Sequence, residues 1–444
     1  EDVAHFAANH DLPHVRRARD VISPRARCSM SVEPGRDPVS PHNRGEVSST
    51  DLSVGGGIRK TAGLYMVVLA TQALVPLLAT PLLTRALGPD DFGAVVLFVV
   101  AVQLLSALAN LGAPTALPRV FFRSEDGPGE TRSLLLPLYG LSAAFCATAI
   151  ASAMLVWSAG TGASYLVVPA VATGVWLLAV FEINVTAVRC AGRSGWFAAL
   201  VAVQVLGGYG LGLSALAVGL GALGFVAGWL VGTLLAAGLS LRAGRPILSR
   251  PAPGTRHRLR AVVRLGAPAA IYALAAAGLV YVDRFVLSAY HGPGAVGEYQ
   301  VAYTVGASLV SVVGAINLAW GPEVLSHLRA GWEFLQDTTE GLLGVVIALA
   351  GAVLWLAPEI VAVLAPASFD RRGIAVAACM LVTLGGLQLA QYSRIHALTW
   401  VGDLRILAPA AGAVVGLQLV LNLVLDRRFP LLGPAVSAVL AMLL

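Results

Sequence analysis

Hydrophobic residues gather in long runs separated by short polar connections. The runs lie near 62–87, 93–113, 134–158, 164–188, 197–218, 220–240, 265–290, 298–320, 341–364, 374–400 and 404–425, with a last one from 431. A helix needs about 20 apolar residues to cross the hydrocarbon of a bilayer. Eleven runs meet that length, and the twelfth reaches Leu444 after fourteen residues, so the natural chain is expected to continue. The pattern predicts an all-α polytopic membrane protein of about twelve transmembrane helices, the last of them truncated.

Composition sharpens this picture. Only 12% of the 444 residues are charged and 57% are apolar, whereas soluble domains carry roughly 25% charged residues. The net charge of +6 does not mark a nucleic-acid surface, because the arginines lie between apolar runs rather than on one soluble face. Lys60 is the single lysine, which reads as a compositional bias without mechanism. Cys28, Cys146, Cys190 and Cys379 share no short spacing, so neither a zinc site nor a disulfide framework is expected. No cofactor is called for. His5, His10 and His14 fall in a polar stretch and read as solvated residues.

Four regions follow. Residues 1–61 read as a disordered cytoplasmic tail rich in Pro, Ser and Arg, with no apolar run and therefore no signal peptide. It lacks an initiating Met, and Met30 offers a more ordinary start, so part of it is expected to be a gene-model artefact. Residues 62–240 form a first six-helix half, 241–264 a basic cytoplasmic connection, and 265–444 a second half. Orientation comes from arginine counts in alternate loops: fourteen fall on the side of the tail and five on the other, which places the tail in the cytoplasm.

The halves carry a repeat at an offset of 204. Gly88-Pro89-Asp90-Asp91-Phe92-Gly93 corresponds to Gly292-Pro293-Gly294-Ala295-Val296-Gly297, and Pro118 to Pro322. Six helices separate the copies, so both halves have the same orientation. Their pseudo-twofold axis then runs along the membrane normal, around a central cavity.

Two stretches carry a resemblance, PLLTRALGPDDFGAVVLFVVAVQLLSALANLGAPTALPRVFFR from Pro81 and YVDRFVLSAYHGPGAVGEYQVAYTVGASLVSVVGAINLAWGPEVL from Tyr281. With their Gly-Pro turns closed by Gly and the Asp-Arg pair late in the seventh helix, they resemble the polysaccharide flippases of the multidrug, oligosaccharidyl-lipid and polysaccharide exporter superfamily. The likeness covers about residues 62–444. It implies a bacterial inner-membrane transporter that moves a diphosphate-linked lipid oligosaccharide, of the O-antigen or lipopolysaccharide kind, to the outer leaflet. Its partners would be the lipid-linked oligosaccharide, membrane lipids, a polysaccharide polymerase and glycosyltransferases, with no nucleic acid and no covalent chemistry.

Charges inside apolar runs are the strongest site candidates, since each costs at least about 2.5 kcal/mol at the bilayer centre. Asp283 and Arg284 lie late in the seventh helix, where Arg284 either binds substrate phosphate or carboxylate or snorkels to the interface. Glu182 and Arg394 occupy equivalent helices of the two halves and either face each other across the cavity or pair locally, Glu182 with Arg189. Gln72, Gln103, Asn110, Asn184, Asn317, Gln388, Gln391 and Gln418 offer hydrogen bonds to sugar hydroxyls or between helices. Tyr65, Tyr281, Tyr299, Tyr303 and Trp320 read as interface anchors rather than sugar platforms.

Two rivals stand beside this reading. A cation-coupled drug or metabolite exporter would need a deep carboxylate cluster, and Glu182 stands almost alone. A membrane glycosyltransferase or polymerase would use paired acids such as Asp90 and Asp91, which instead suit the start of a helix. The arginine count makes a direct prediction: a cysteine placed at Asp90 reacts with an impermeant thiol reagent in intact cells, and one placed at Ser249 does not. The opposite labelling would invert the topology.

Overall fold

A computed structural model describes residues 49–123, 127–157, 167–244, 255–326, 332–401 and 407–443. His5, His10 and His14 and most of the predicted tail lie outside these residues. Every regular element among the described residues is helical: α1 Ser49–Ala86, α2 Pro89–Ala109, α3 Ala113–Arg123, α4 Gly127–Trp157, α5 Val167–Cys190, α6 Ser194–Ala217, α7 Gly221–Gly244, α8 Thr255–Ser326, α9 Trp332–Leu364, α10 Arg371–Val401, α11 Leu407–Leu425 and α12 Leu432–Leu443. Among the described residues, eight helical stretches are long and apolar enough to cross a membrane. Large apolar side chains face outward along them, Trp355 at 80% and Leu223 at 77% exposure, as surfaces facing lipid require.

The boundaries follow local chemistry. Pro89 occupies the first turn of α2 with Asp90 and Asp91 beside it, where a missing N–H costs nothing and carboxylates meet the positive end of the helix dipole. Asp370 accepts the Gly373 N–H at 3.1 Å and so caps α10. At Gly292 the backbone turns through φ 79° and ψ 177°, which breaks α8 into two arms, α8a before it and α8b after it. That break falls at the turn expected between runs 265–290 and 298–320. Helix α1 begins at Ser49, thirteen residues earlier than the apolar run at 62.

One break was not anticipated. The run 93–113 is divided at Leu111 and Gly112, whose φ values are 55° and 69°. The Asn110 side chain supports this turn by accepting the Gly112 N–H at 3.0 Å, and Pro114 sits in the first turn of α3. The C-terminal part of the second span is thereby redirected.

The first half packs α2 to α7 together, and the second packs α8 to α12. The halves meet along α8, which lies against α2, α3 and α4. Where α2 crosses α8b, the repeated turns dock reciprocally: a Cβ on Gly93 would overlap the Pro293 carbonyl, and a Cβ on Gly297 would overlap the Pro89 carbonyl. The equivalent glycines of the repeat thus serve one purpose, letting two backbones touch. Around Gly88, in contrast, a Cβ would meet nothing within 4 Å.

This difference makes a prediction. Gly93→Ala or Gly297→Ala should destabilise the purified protein by about 1–3 kcal/mol, the usual cost of overpacking, whereas Gly88→Ala should leave its thermal midpoint unchanged. Equal midpoints for all three would show that the crossing is looser than described.

Candidate functional site

The redirected α3 and the start of α8a line an open cavity of about 850 Å³ between the halves. Its walls are Thr115 and Arg119 from α3, and Arg264, Pro268, Ala269, Ala273 and Ala276 from α8a. Both arginine residues are exposed. The break at Leu111 and Gly112 aims α3, and with it Arg119, toward α8a. That approach is close, because a Cβ on Gly266 would meet the Leu111 carbonyl oxygen at 2.5 Å. Small side chains at 269, 273 and 276 leave the volume open, while the guanidiniums supply its positive charge. Neither arginine was picked out from sequence, where each counted only as a loop charge; their common destination depends on the α2–α3 break.

The charged candidates within the spans are engaged by protein. Arg284 is only 1% exposed. Its Nη1 donates to Asp283 Oδ1 at 2.7 Å and to the Val280 carbonyl, and its Nε and Nη2 reach Gln300 Oε1 at 3.3 Å. Tyr303, Tyr299 and Tyr281 present their rings at 4.0, 5.3 and 5.9 Å from the guanidinium carbon. The Tyr299 hydroxyl donates to the other Asp283 oxygen at 2.7 Å. Asp283 and Arg284 are therefore a buried, hydrogen-bonded pair that fastens α8a to α8b, and in this conformation Arg284 neither faces the cavity nor snorkels. The tyrosines expected as interface anchors are instead its cage, since cation–π attraction is strongest where water is excluded. Trp320 is likewise buried and donates to Thr338 at 3.1 Å. The Tyr65 side chain lies outside the described residues.

Glu182 and Arg394 are not brought together. Glu182 accepts from the Asn110 amide at 2.7 Å, tying α5 to the α2–α3 break, and Arg394 is exposed on α10. Gln103 accepts from the Tyr281 hydroxyl across the seam between the halves. Most other amides join helices: Asn184 to Tyr139, Asn317 to His396 at 2.9 Å, and Gln418 to the Leu279 carbonyl at 3.0 Å. Gln388 donates to Gln391 within α10 at 3.1 Å. Pro89, Gly93, Pro293 and Gly297 form the crossing described above, while Gly88 and Gly292 stand at its edge with nothing within 4 Å of where a Cβ would lie.

The sequence model of one family, described as polysaccharide biosynthesis protein, matches residues 58–327. The chain belongs to this family. It matches no curated protein. Its fold is that of MATE transporters. It is similar to an inward-facing multidrug resistance MATE family transporter of the MOP superfamily, with 15% identity, 84% of this chain and 92% of that chain covered, and a TM-score of 0.59. An outward-facing form of such a transporter gives 15% identity, coverage of 87% and 93%, and the same TM-score of 0.59. A single-residue mutant of the Vibrio cholerae MATE transporter VcmN gives 12% identity, coverage of 89% and 96%, and a TM-score of 0.56. These likenesses establish a two-lobed, multi-pass membrane fold.

The buried pair predicts a distinctive mutational pattern. Arg284→Ala strands Asp283 in low dielectric and should cost about 3–5 kcal/mol, read as a large fall in thermal midpoint. Removing both charges with Asp283→Asn and Arg284→Gln should recover part of that loss. Additive losses in the double variant would contradict the pairing.

Proposed function

We propose that this protein moves an oligosaccharide, linked through diphosphate to a lipid carrier, from the inner to the outer leaflet by alternating access. The observation that carries this reading is the convergence of Arg119 and Arg264, one from each half, on a cavity otherwise walled by Thr115, Pro268 and alanines. Guanidiniums bind phosphate oxygens through paired N–H donors and keep their charge at any physiological pH. An organic cation would meet repulsion at the same place, which argues against the drug-export reading despite the shared fold. The arginine distribution assigns this cavity to the cytoplasmic side, where a lipid-linked substrate would be made.

The task suits the chemistry. Each sugar hydroxyl entering hydrocarbon without a partner costs several kcal/mol, so the glycan needs an enclosed path while its lipid tail stays in the bilayer. The docked turns at Gly93 and Gly297 close the outer end, and separation there with closure below would release the cargo outward. The localisation that follows is the bacterial inner membrane, with glycosyltransferases supplying the cargo and a polymerase consuming it.

Reconstituted vesicles containing a fluorescent lipid-linked oligosaccharide test this directly. Arg119→Ala and Arg264→Ala should each reduce transbilayer movement per inserted molecule about tenfold or more, the loss expected for one charge-assisted phosphate contact, with lysine retaining part of the rate. Unchanged rates in the double alanine variant, or movement of a cationic dye in place of the lipid, would refute the reading.

A further inference from the structure

The α2–α3 break contains a strained residue, and beside it a carboxylate that the cavity chemistry leaves unused. Leu111 has φ 55° and Gly112 φ 69°, and for leucine the left-handed region is costly. Pro114 stops α2 from running straight on, because its ring would meet the Asn110 carbonyl four residues back. Proline ends the helix without deciding where the chain goes next. The turn itself is held by the Asn110 side chain, 6% exposed, whose Oδ1 accepts the Gly112 N–H at 3.0 Å. Its Nδ2 donates to Glu182 Oε2 at 2.7 Å.

The two ends of an asparagine side chain differ little in shape, so their partners decide which of them faces Gly112. A carboxylate accepts and cannot donate. Glu182 therefore takes the amide nitrogen and leaves the oxygen for the turn; a partner able to donate would permit the reverse, with two N–H groups facing each other at Gly112. Glu182 is carried by α5, the most deeply buried of the membrane-crossing stretches among the described residues, which makes it the firm side of the contact. On the other side the turn stands against the second half. A Cβ on Gly112 would lie 2.1 Å from the Gly266 carbonyl oxygen, and one on Gly266 2.5 Å from that of Leu111. Arg264 is two residues before this pivot, whereas Arg119 is two helical turns beyond it, about 10 Å along α3. A small rotation at the break thus displaces Arg119 relative to Arg264.

We propose that Glu182 is a positioning residue for the cavity: by fixing the orientation of the Asn110 amide it sets the direction of α3, and with it the separation of Arg119 from Arg264. The inference rests on reading that cavity as the phosphate site. Glu182 touches no cargo. Two phosphates joined through one oxygen present their charges at a set spacing, so both guanidiniums engage a diphosphate only when α3 leaves the break at the right angle. The strain at Leu111 is the cost of that angle, and the Glu182–Asn110–Gly112 chain of hydrogen bonds offsets it.

Spin labels attached through Phe122→Cys on α3 and Arg260→Cys on α8a, both exposed positions, report the direction of α3 without cargo, in the full chain freed of its native cysteines. Glu182→Leu, which removes the acceptor, and Asn110→Asp, which sets two carboxylates face to face, should each shift or broaden the distance distribution. In reconstituted vesicles each should raise the half-saturating concentration of a fluorescent lipid-linked oligosaccharide about tenfold, the loss of one charge-assisted contact, with a smaller change in maximal rate. The exchange Asn110→Asp with Glu182→Gln keeps one carboxylate and one amide: Asp accepts from Gly112 and from the new amide, so distance and affinity should both return toward wild type. Should either single variant fail to insert, the exchange variant decides, a wild-type distance supporting the proposal and an altered one overturning it. Wild-type distances in both single variants, or an exchange variant no closer to wild type than they are, would also overturn it. Distances that respond as expected while cargo affinity does not would support the positioning and count against the phosphate reading of the cavity.

Discussion

Inside a membrane every charge must find its partner within the protein, and that requirement organises the whole second half of this molecule. Arg284 is surrounded by Asp283, Gln300 and three tyrosine rings because guanidinium cannot shed its proton and water is absent. The cage fastens α8a to α8b across the Gly292 break and fixes the arm that walls the cavity. Glu182 obeys the same rule in the first half, where the Asn110 amide meets it and the Asn110 carbonyl oxygen caps the α2–α3 turn. Arg119 and Arg264 differ from both: their guanidiniums are exposed to a cavity between the halves. Charges already satisfied shape the fold, and the proposed function rests on the two left accessible.

The second organising contact is made by backbone. At the crossing of α2 and α8b, each of two repeated turns presents a glycine to the other's proline carbonyl. The contact is tight, and the flanking Phe92, Val95 and Val296 are buried in one hydrophobic cluster beside it, so apolar side chains as well as backbone hold the crossing together. One long element, α8, carries both the glycine crossing with α2 and one wall of the cavity.

Periodic information was legible in the sequence, and convergent information was not. The apolar runs, the Gly292 turn and the glycine-proline repeat are local patterns, and the helices follow them. The Leu111–Gly112 break escaped because a leucine with positive φ is favoured by nothing in its neighbourhood; it depends on Asn110 and on the close approach of Gly266. Tyr299 and Tyr303 looked like interface anchors because aromatic residues near the ends of spans usually are, and only the fold reveals the arginine they surround. For Arg119 and Arg264 no local sign existed, since the two lie 145 residues apart in different halves.

The function proposed above requires that cargo cross by alternate opening of a seam, one end of which closes at the docked turns. Asp90 and Gly294 are neighbours there, the Asp90 Oδ1 standing 2.6 Å from where a Gly294 Cβ would lie. Cysteines at both positions, in a background freed of the native ones, allow this end to be locked by oxidation and released by reduction. Translocation of a fluorescent lipid-linked oligosaccharide in vesicles should stop on oxidation and resume on reduction, while binding of the lipid from the inner leaflet persists throughout. Translocation that continues at full rate with the cross-link formed, or that never occurs in the reduced protein, would contradict the account.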